Sequence, residues 1–177
     1  MSHTDSTQPT PSSDHHPMRR RDRALPDEWT WHLIQNSLYG VLSMVSTDNG
    51  GYGVPISYAV DGREALYFHG AIKGRKLDNL RQNPKASFCI VGRVETLPEE
   101  FSTRFESVIV FGTLTECTGE DKIKGLELIK RKYSPENVEK GINCRSSPDA
   151  VCVFKLEISQ VTGKGSKLES PVEAKQE

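Results

Sequence analysis

The order of strand-like and helical segments is the feature that most constrains how this chain can fold. Helical patterns lie before the first strand-like segment, between the third and the fourth, and after the fifth. Six segments are rich in β-branched and aromatic residues: Tyr39–Thr47, Tyr52–Val60, Leu66–Gly70, Lys85–Val91, Arg104–Cys117 and Ala150–Ile158. Because most neighbours are joined locally, they are predicted to pair as antiparallel hairpins. The sequence therefore predicts a mainly β fold with inserted helices, a six-stranded antiparallel barrel.

The first hairpin carries two turn and edge signals. Asp48-Asn-Gly-Gly51 is typical of a hairpin turn. In the strand that follows, Pro55 cannot donate to a sheet ladder, so this position is expected at an edge or a bulge. Backbone left unpaired there is free to bind something else, and the edge of a flavin ring is one candidate.

The stretch Leu66–Pro84 changes from strand to helix at two glycines. Its strand ends in His69 and breaks at Gly70, and a short helix starts near Gly74. Lys73, Arg75 and Lys76 surround that helix start, where free N–H groups and the helix dipole favour an anion. The stretch is therefore predicted to hold a phosphate group, which the family resemblance given below assigns to a flavin, and to place His69, which can carry a proton near neutral pH, close to the chemistry.

Charge and composition exclude several classes of function. The chain has 177 residues and a net charge of -1, which leaves no excess of cations for nucleic acid. No apolar run approaches the length of a membrane span and no signal peptide is recognisable, so a cytoplasmic protein is expected. Four cysteines (Cys89, Cys117, Cys144 and Cys152) lie far apart and are interpreted as reduced thiols.

One domain is predicted over residues 18–167, with a disordered tail at 1–17 and a mobile tail at 168–177. Residues Arg93–Thr103 are expected to be irregular, and Gly163–Lys167 to be mobile.

Thr118–Asp121 has the form of a capping box. The helix after it is predicted to bury one face through Ile123, Leu126, Ile129 and Tyr133.

The two tryptophans of the first helix stand two positions apart. Trp29 and Trp31 are therefore not expected to face the core together. One of them is predicted to pack on another surface, such as a partner subunit.

The ordered set of motifs resembles a known family. MRRRDR precedes the first helix, followed by VPISY, LYFHGA-IKGRKLDNLRQNP and ESVIVFG. Together these motifs resemble the pyridoxamine 5'-phosphate oxidase-like proteins, and within them the nitroimidazole-resistance (Nim-type) branch. The resemblance implies an FMN-binding split barrel that forms a homodimer with flavin at the interface.

The resemblance also implies roles for individual residues. Arg75 and Lys76 match the phosphate-binding pair, and His69 matches the histidine that the Nim-type branch places near the substrate. The remaining cofactor-binding matches are the strand along the flavin ring (Val54, Pro55, Ile56, Ser57), the strand end beside it (Phe68, His69, Gly70), and the strand often supplied by the other subunit (Glu106, Ser107, Val108).

Two functions are compatible with this resemblance. The first is an FMN-dependent oxidoreductase, nitroreductase-like, that reduces a small aromatic acceptor with His69 as the catalytic residue and NAD(P)H or another compound as electron donor. The second is a non-catalytic binding protein for flavin, haem or another planar ligand. Vitamin B6 oxidation is not predicted, because the chain lacks the C-terminal Arg-x-His run of true pyridoxamine phosphate oxidases.

Overall fold

The computed structural model describes residues 17–139 and 148–166. Within these ranges there are seven strands: β1 Tyr39–Val45, β2 Gly51–Ser57, β3 Ala59–Asp61, β4 Ala65–Gly70, β5 Lys85–Leu97, β6 Ser102–Glu116 and β7 Cys152–Ser166. The α-helices of the same ranges are α1 Asp27–Asn36, α2 Arg75–Gln82, α3 Gly119–Tyr133 and α4 Pro135–Glu139. The predicted tails fall almost wholly outside these ranges, as does Cys144, and the domain boundaries stay a prediction.

All strands belong to one antiparallel sheet with the order β2-β1-β5-β6-β7-β4-β3. The sheet curls until β2, at one edge, approaches β4 near the other edge. We call this approach the seam. The predicted antiparallel split barrel is confirmed, and so are the hairpin turn after β1 and the edge position of Pro55 in β2.

The predicted number of six strands is wrong, because the segment Tyr52–Val60 is two strands rather than one. The break falls at Tyr58, whose backbone N–H and C=O bond to the hydroxyl of Tyr133 in α3 instead of a neighbouring strand. The hydroxyl of Tyr133, 75 residues further along the chain, thus takes the place of a backbone partner in a neighbouring strand.

Two further expectations are corrected by long strand pairing. Residues Arg93–Thr103 are not irregular: β5 continues to Leu97 and β6 begins at Ser102, after a bulge between Val91 and Val94. Residues 163–166 are not a mobile segment but the end of β7, paired with Phe105–Val108 of β6. The glycine at 163 serves close packing, since a Cβ there would stand 2.1 Å from Thr30 Oγ1 of α1.

An aromatic cluster fills the inside of the curled sheet. Phe88 packs edge-on against Tyr58 and Phe68, with ring centroids 4.8 and 5.2 Å apart, and Phe68 stacks on Phe154 at 5.3 Å. All four side chains are fully buried. This core fixes the positions of β4, β5 and β7 relative to one another.

Both tryptophans are buried within the chain, so the expectation that one of them packs on another surface, such as a partner subunit, is wrong. Trp29 and Trp31 are each only 7% exposed, because α1 contacts β3 as well as β5, β6 and β7. Trp31 belongs to the core cluster, with the Arg63 guanidinium 4.9 Å from its ring centroid. Trp29 donates to the carboxylate of Glu106.

Helix α3 covers the outer side of β4 and β7. Its buried positions are Gly125 and Ile129, whereas Ile123 is exposed, so the predicted apolar face is shifted. Gly125 lets the helix approach closely, since a Cβ there would lie 2.5 Å from the ring of Tyr67. The predicted capping box is wrong, because Asp121 accepts from the Tyr67 hydroxyl and pairs with Lys155 instead of capping α3.

Candidate functional site

The start of α2 lies at the seam, next to the turn between β1 and β2. Gly74 precedes the helix with φ 131°, a conformation that side chains other than glycine rarely adopt, and no side chain caps the helix start within the described ranges. The exposed residues 71–74 connect it to the end of β4. The local sequence thus turns the N–H end of a helix toward open space.

The guanidinium of Arg75 is positioned by two residues of the first hairpin, Ser46 and Tyr52. Its Nε and Nη2 donate to Ser46 Oγ at 3.2 and 2.8 Å, and its guanidinium carbon lies 4.8 Å from the centroid of the Tyr52 ring. Ser46 is buried, whereas Arg75 is exposed. A guanidinium has five N–H donors, so most remain available to an anion while the side chain is kept in place.

Lys76 extends back across the end of β4. A Cβ built on Gly70 would lie 3.5 Å from its Cε and 3.7 Å from its Nζ, so the ammonium group passes over this glycine. His69, the preceding residue, is exposed on β4. Partial burial of the ring and then the nearby charge of Lys76 lower the pKa of His69, which favours the neutral imidazole at pH 7.

The residues predicted to line a flavin ring meet along the seam. β2 pairs with β1 on one side and, within the described ranges, with no strand on the other. Short β3 pairs with residues Ala65–Tyr67 of β4, so the following end of β4 also has an unpaired edge. Val54, Pro55, Ile56 and Ser57 lie on β2, and Phe68, His69 and Gly70 lie on β4, the two strands that contact each other at the seam.

Phe68 can contribute only its backbone to such a site, because its side chain is fully buried in the core. Lys73 is exposed in the loop before α2. Together with Arg75 and Lys76 it gives this end of the barrel a positive charge. The structure therefore brings together most of the predicted site residues.

The β6 residues lie elsewhere in the same chain. Glu106, Ser107 and Val108 stand in the middle of the sheet, with β5 on one side and β7 on the other. Val108 is fully buried in the core, and Ser107 lies on the outer face. Within this chain they therefore lie away from the seam, and their predicted role in cofactor binding stays a prediction.

The carboxylate of Glu106 is fully engaged. Its Oε1 accepts from the backbone N–H and the Nε of Arg93, each at 3.1 Å, and its Oε2 accepts from Trp29. Burial alone would raise the pKa of Glu106, but these donors outweigh it and hold the pKa below its usual value. A Cβ at Gly92 would lie 2.6 Å from Glu106 Cγ, which explains why glycine occupies this position in the bulge.

Sequence reasoning missed Ser46 and Tyr52, which orient Arg75. Both flank the Asp48–Gly51 turn, and a turn signal says nothing about which helix will pack beside it. It also missed Asn79 of α2, whose Oδ1 accepts from the Thr47 N–H at 3.2 Å. The first β-hairpin and α2 therefore form one connected unit.

An apolar outer face lies on the other side of the sheet. One row across the strands contains Val41, Cys89 and Ile109, and the next pairs Val91 with Ser107. On this face Tyr39 is 57% and Val91 61% exposed, and Val41 and Ile109 are also exposed, so several apolar side chains are exposed close together. No helix of the described ranges is long and apolar enough to cross a membrane.

The curled antiparallel sheet and its seam define the chain as a split-barrel protein. A family profile described as Pyridoxamine 5'-phosphate oxidase matches residues 26–165, most of the chain. The chain belongs to the pyridoxamine 5'-phosphate oxidase family, and the predicted resemblance is confirmed. Among curated proteins there is no match.

Several solved structures share the fold. A candidate 5-nitroimidazole antibiotic resistance protein from Bacteroides thetaiotaomicron is 21% identical, with a TM-score of 0.66 over 78% of this chain and 83% of its own. An FAD and haem binding protein from Mycobacterium smegmatis is 18% identical, with a TM-score of 0.70 over 88% and 80%. The flavocytochrome Anf3 from Azotobacter vinelandii is 19% identical, with a TM-score of 0.71 over 94% and 82%.

Proposed function

We propose that this protein binds FMN at the seam and acts as an oxidoreductase on a small aromatic acceptor of the nitroimidazole kind. The observation that carries the proposal is the position of Arg75 and Lys76 beside the unpaired edge of β2 and the end of β4. Cations at the start of α2 and the unpaired backbone edge of β2 fit the phosphate and the polar ring edge of a flavin. Structural neighbours described as binding FAD or haem support a flavin site in this fold.

Different residues of the chain would bind the phosphate, orient the flavin ring and orient the acceptor. Arg75, anchored by Ser46, and Lys76 hold the phosphate group, and the backbone of Val54–Ser57 orients the ring. Bound flavin supplies the electron transfer itself, with NAD(P)H or another compound as donor. His69, exposed at the strand end, orients the acceptor through a hydrogen bond from a ring N–H; the proton itself passes to the acceptor only from the imidazolium form, which is then reprotonated from solvent.

A homodimer is part of the proposal. The exposed apolar rows around Ile109 and Val91 suit burial against a second copy, and the dimer would present the Glu106–Val108 segment of one subunit, through Ser107 on the outer face, to the other. The three described cysteines, Cys89, Cys117 and Cys152, are free thiols, which supports the proposed cytoplasmic location.

The experiment is a spectrum followed by a redox titration. Purified protein should be yellow, and the extracted chromophore should have the mass of FMN. Anaerobic NAD(P)H should bleach it, and a nitroimidazole should restore the oxidised spectrum. Protein that stays colourless with micromolar FMN would contradict the flavin site, and bound flavin that no donor reduces would contradict the enzymatic part.

A second candidate is a non-catalytic binding protein for haem or another planar ligand. It is favoured by neighbours described as haem binding and by the exposed, preferentially neutral His69, since a neutral imidazole is the form that ligates iron. A Soret band after reconstitution with haem, lost in His69→Ala, would support it over the oxidoreductase.

A further inference from the structure

The hairpin between β5 and β6 projects beyond the sheet. Residues 95–97 of β5 pair with 102–104 of β6, and within the described ranges neither segment pairs with another strand. We call residues 94–105 the arm. Its tip carries Phe101, which is fully exposed and has φ 45° and ψ 44°. A left-handed backbone is uncommon and energetically unfavourable for a bulky residue. We therefore expect the exposed phenyl ring of Phe101 to make a contact that offsets this cost.

A groove on the outer face of the same sheet offers a place for such a ring. It has a volume of about 580 Å³ and lies toward the opposite end of the β5–β6 ribbon. Its lining includes Val45, Lys85, Ser87, Phe111 and Gln160. Val45 and Phe111, each 38% exposed, supply apolar walls.

The arm cannot reach the groove of its own chain. Along β6, Phe101 and Phe111 are ten positions apart in sequence, which corresponds to about 33 Å of strand. The midpoint between them falls at position 106, beside the row of Val91 and Ser107. A two-fold axis across the strands at this row would place the arm tip of each copy over the groove of the other.

Charge complements the shape of this contact. The tip carries Glu99 two positions before Phe101, and both residues are exposed. The groove is bordered by Lys85, for which no ion pair with a described residue is found. The same two-fold axis would therefore bring opposite charges together twice, once for each copy.

We propose that Phe101 of one copy inserts into the outer-face groove of a second copy, with Glu99 against Lys85. The inference rests on the proposed homodimer and gives its register and its anchor residue. The contact holds the β6 strands of the pair antiparallel across the row of Val91 and Ser107. It thereby fixes where each subunit presents Ser107 to the other.

Engineered cysteines test the register directly. In a Cys89→Ser background, Phe101→Cys and Ser87→Cys should form an intersubunit disulfide under mild oxidation, identified by peptide mass. Each single variant serves as the control and should not give this linked peptide. A dimer that never links the two positions, or a protein that stays monomeric, would overturn the proposal.

Dissociation measurements test the anchor. Phe101→Gly should raise the dimer dissociation constant by at least about tenfold, because two buried aromatic rings are lost per dimer. Folding should not suffer, since glycine adopts φ 45° without strain. An unchanged dissociation constant would count against the anchor.

A charge swap tests the ion pair. Glu99→Lys and Lys85→Glu should each weaken the dimer by about three- to tenfold, and the double variant should restore it. If the double variant does not regain the dimer affinity of the wild type, the ion pair between Glu99 and Lys85 is contradicted. Flavin content is measured separately: a linked dimer without flavin supports this contact and contradicts the flavin site, and a flavoprotein without the link does the reverse.

Discussion

Nε1 of Trp29 lies 2.6 Å from Oε2 of Glu106, a contact between residues 77 positions apart. It joins the first helix to the centre of the sheet at a side chain that is only 6% exposed. A buried carboxylate is stable only when its oxygens are paired, and here Arg93 supplies the other donors. The contact therefore determines how firmly α1 is attached.

Glu106→Gln should lower the free energy of unfolding by about 1–3 kcal/mol, because the buried acceptor of Arg93 and Trp29 loses its charge. Urea denaturation at pH 7 measures it. Glu95→Gln is the matched control, since Glu95 is exposed and its partner Arg104 is only half-buried, so the loss should stay below about 1 kcal/mol. Equal losses in the two variants would contradict the special role of Glu106.

The same pair predicts a pH dependence. The pKa of Glu106 is lower in the folded than in the unfolded chain, so its stabilisation is present above the unfolded pKa of about 4.3 and is lost as pH falls through the folded value. The stability difference between the wild type and Glu106→Gln should therefore shrink in acid. A difference that grows below pH 4 would show that the donors do not outweigh burial.

Tyr133→Phe should destabilise the break between β2 and β3. The hydroxyl lies 2.9 Å from both the nitrogen and the oxygen of Tyr58, and the variant leaves both without this partner. A cost of about 1–3 kcal/mol is expected in urea denaturation, with faster hydrogen exchange at the Tyr58 amide. Unaltered exchange there would mean that another group holds the break.

Lys76→Met should raise the pKa of His69 toward its ordinary value, because one of the two causes that lower it is removed. An NMR titration of the imidazole measures this shift. Lys73→Met removes a cation that does not contribute to the lowered pKa and serves as the control. Identical titration curves for wild type and Lys76→Met would place the ammonium group away from the ring.

Replacing Arg75 and Lys76 together by Met should weaken FMN binding by about two to four powers of ten, from about 1.5–3 kcal/mol for each charge-assisted contact. Riboflavin, which lacks the phosphate, should bind both proteins alike. Arg81→Met on the same helix is the control, because its guanidinium already pairs with Glu116. Loss of riboflavin binding in the double variant would indicate a damaged fold instead.

His69→Ala should keep the flavin and slow reduction of the acceptor by about 10²–10⁴-fold if the residue acts as proton donor. Stopped-flow reoxidation of the reduced protein by a nitroimidazole measures it. His32→Ala on α1 should leave this rate unchanged. A normal rate in His69→Ala would restrict the residue to a structural role.

The sequence predicts the local elements well, because the signals for hairpin turns and strands come from residues that are close together in the sequence. The turn at Asp48–Gly51 and the helix after Gly74 are examples. Contacts between distant residues set the rest: Tyr133 divides the second predicted strand, and the long ribbon beyond Val91 pairs without any apolar alternation. Neither has a signal within a window of ten residues.

The candidate site shows the same division. Residues 68–70 and 73–76 lie close together because a short loop joins the end of β4 to α2, whereas residues 54–57 lie on β2, which contacts β4 because the sheet curls. The anchor of Arg75 on Ser46 depends on how α2 packs against the first hairpin, which no local pattern encodes. The placement of Glu106–Val108 away from the seam follows from sheet order, which strand propensities leave open.

The position of β7 in the sheet has a consequence for biosynthesis. β7 separates β6 from β4, so the hairpin that carries His69 has no neighbour on that side until the last described strand has left the ribosome. Until then the growing chain exposes two long strand edges to other chains. A nascent polypeptide arrested before Cys152 should accordingly depend on chaperones, although nearly all residues of the candidate site have already been made.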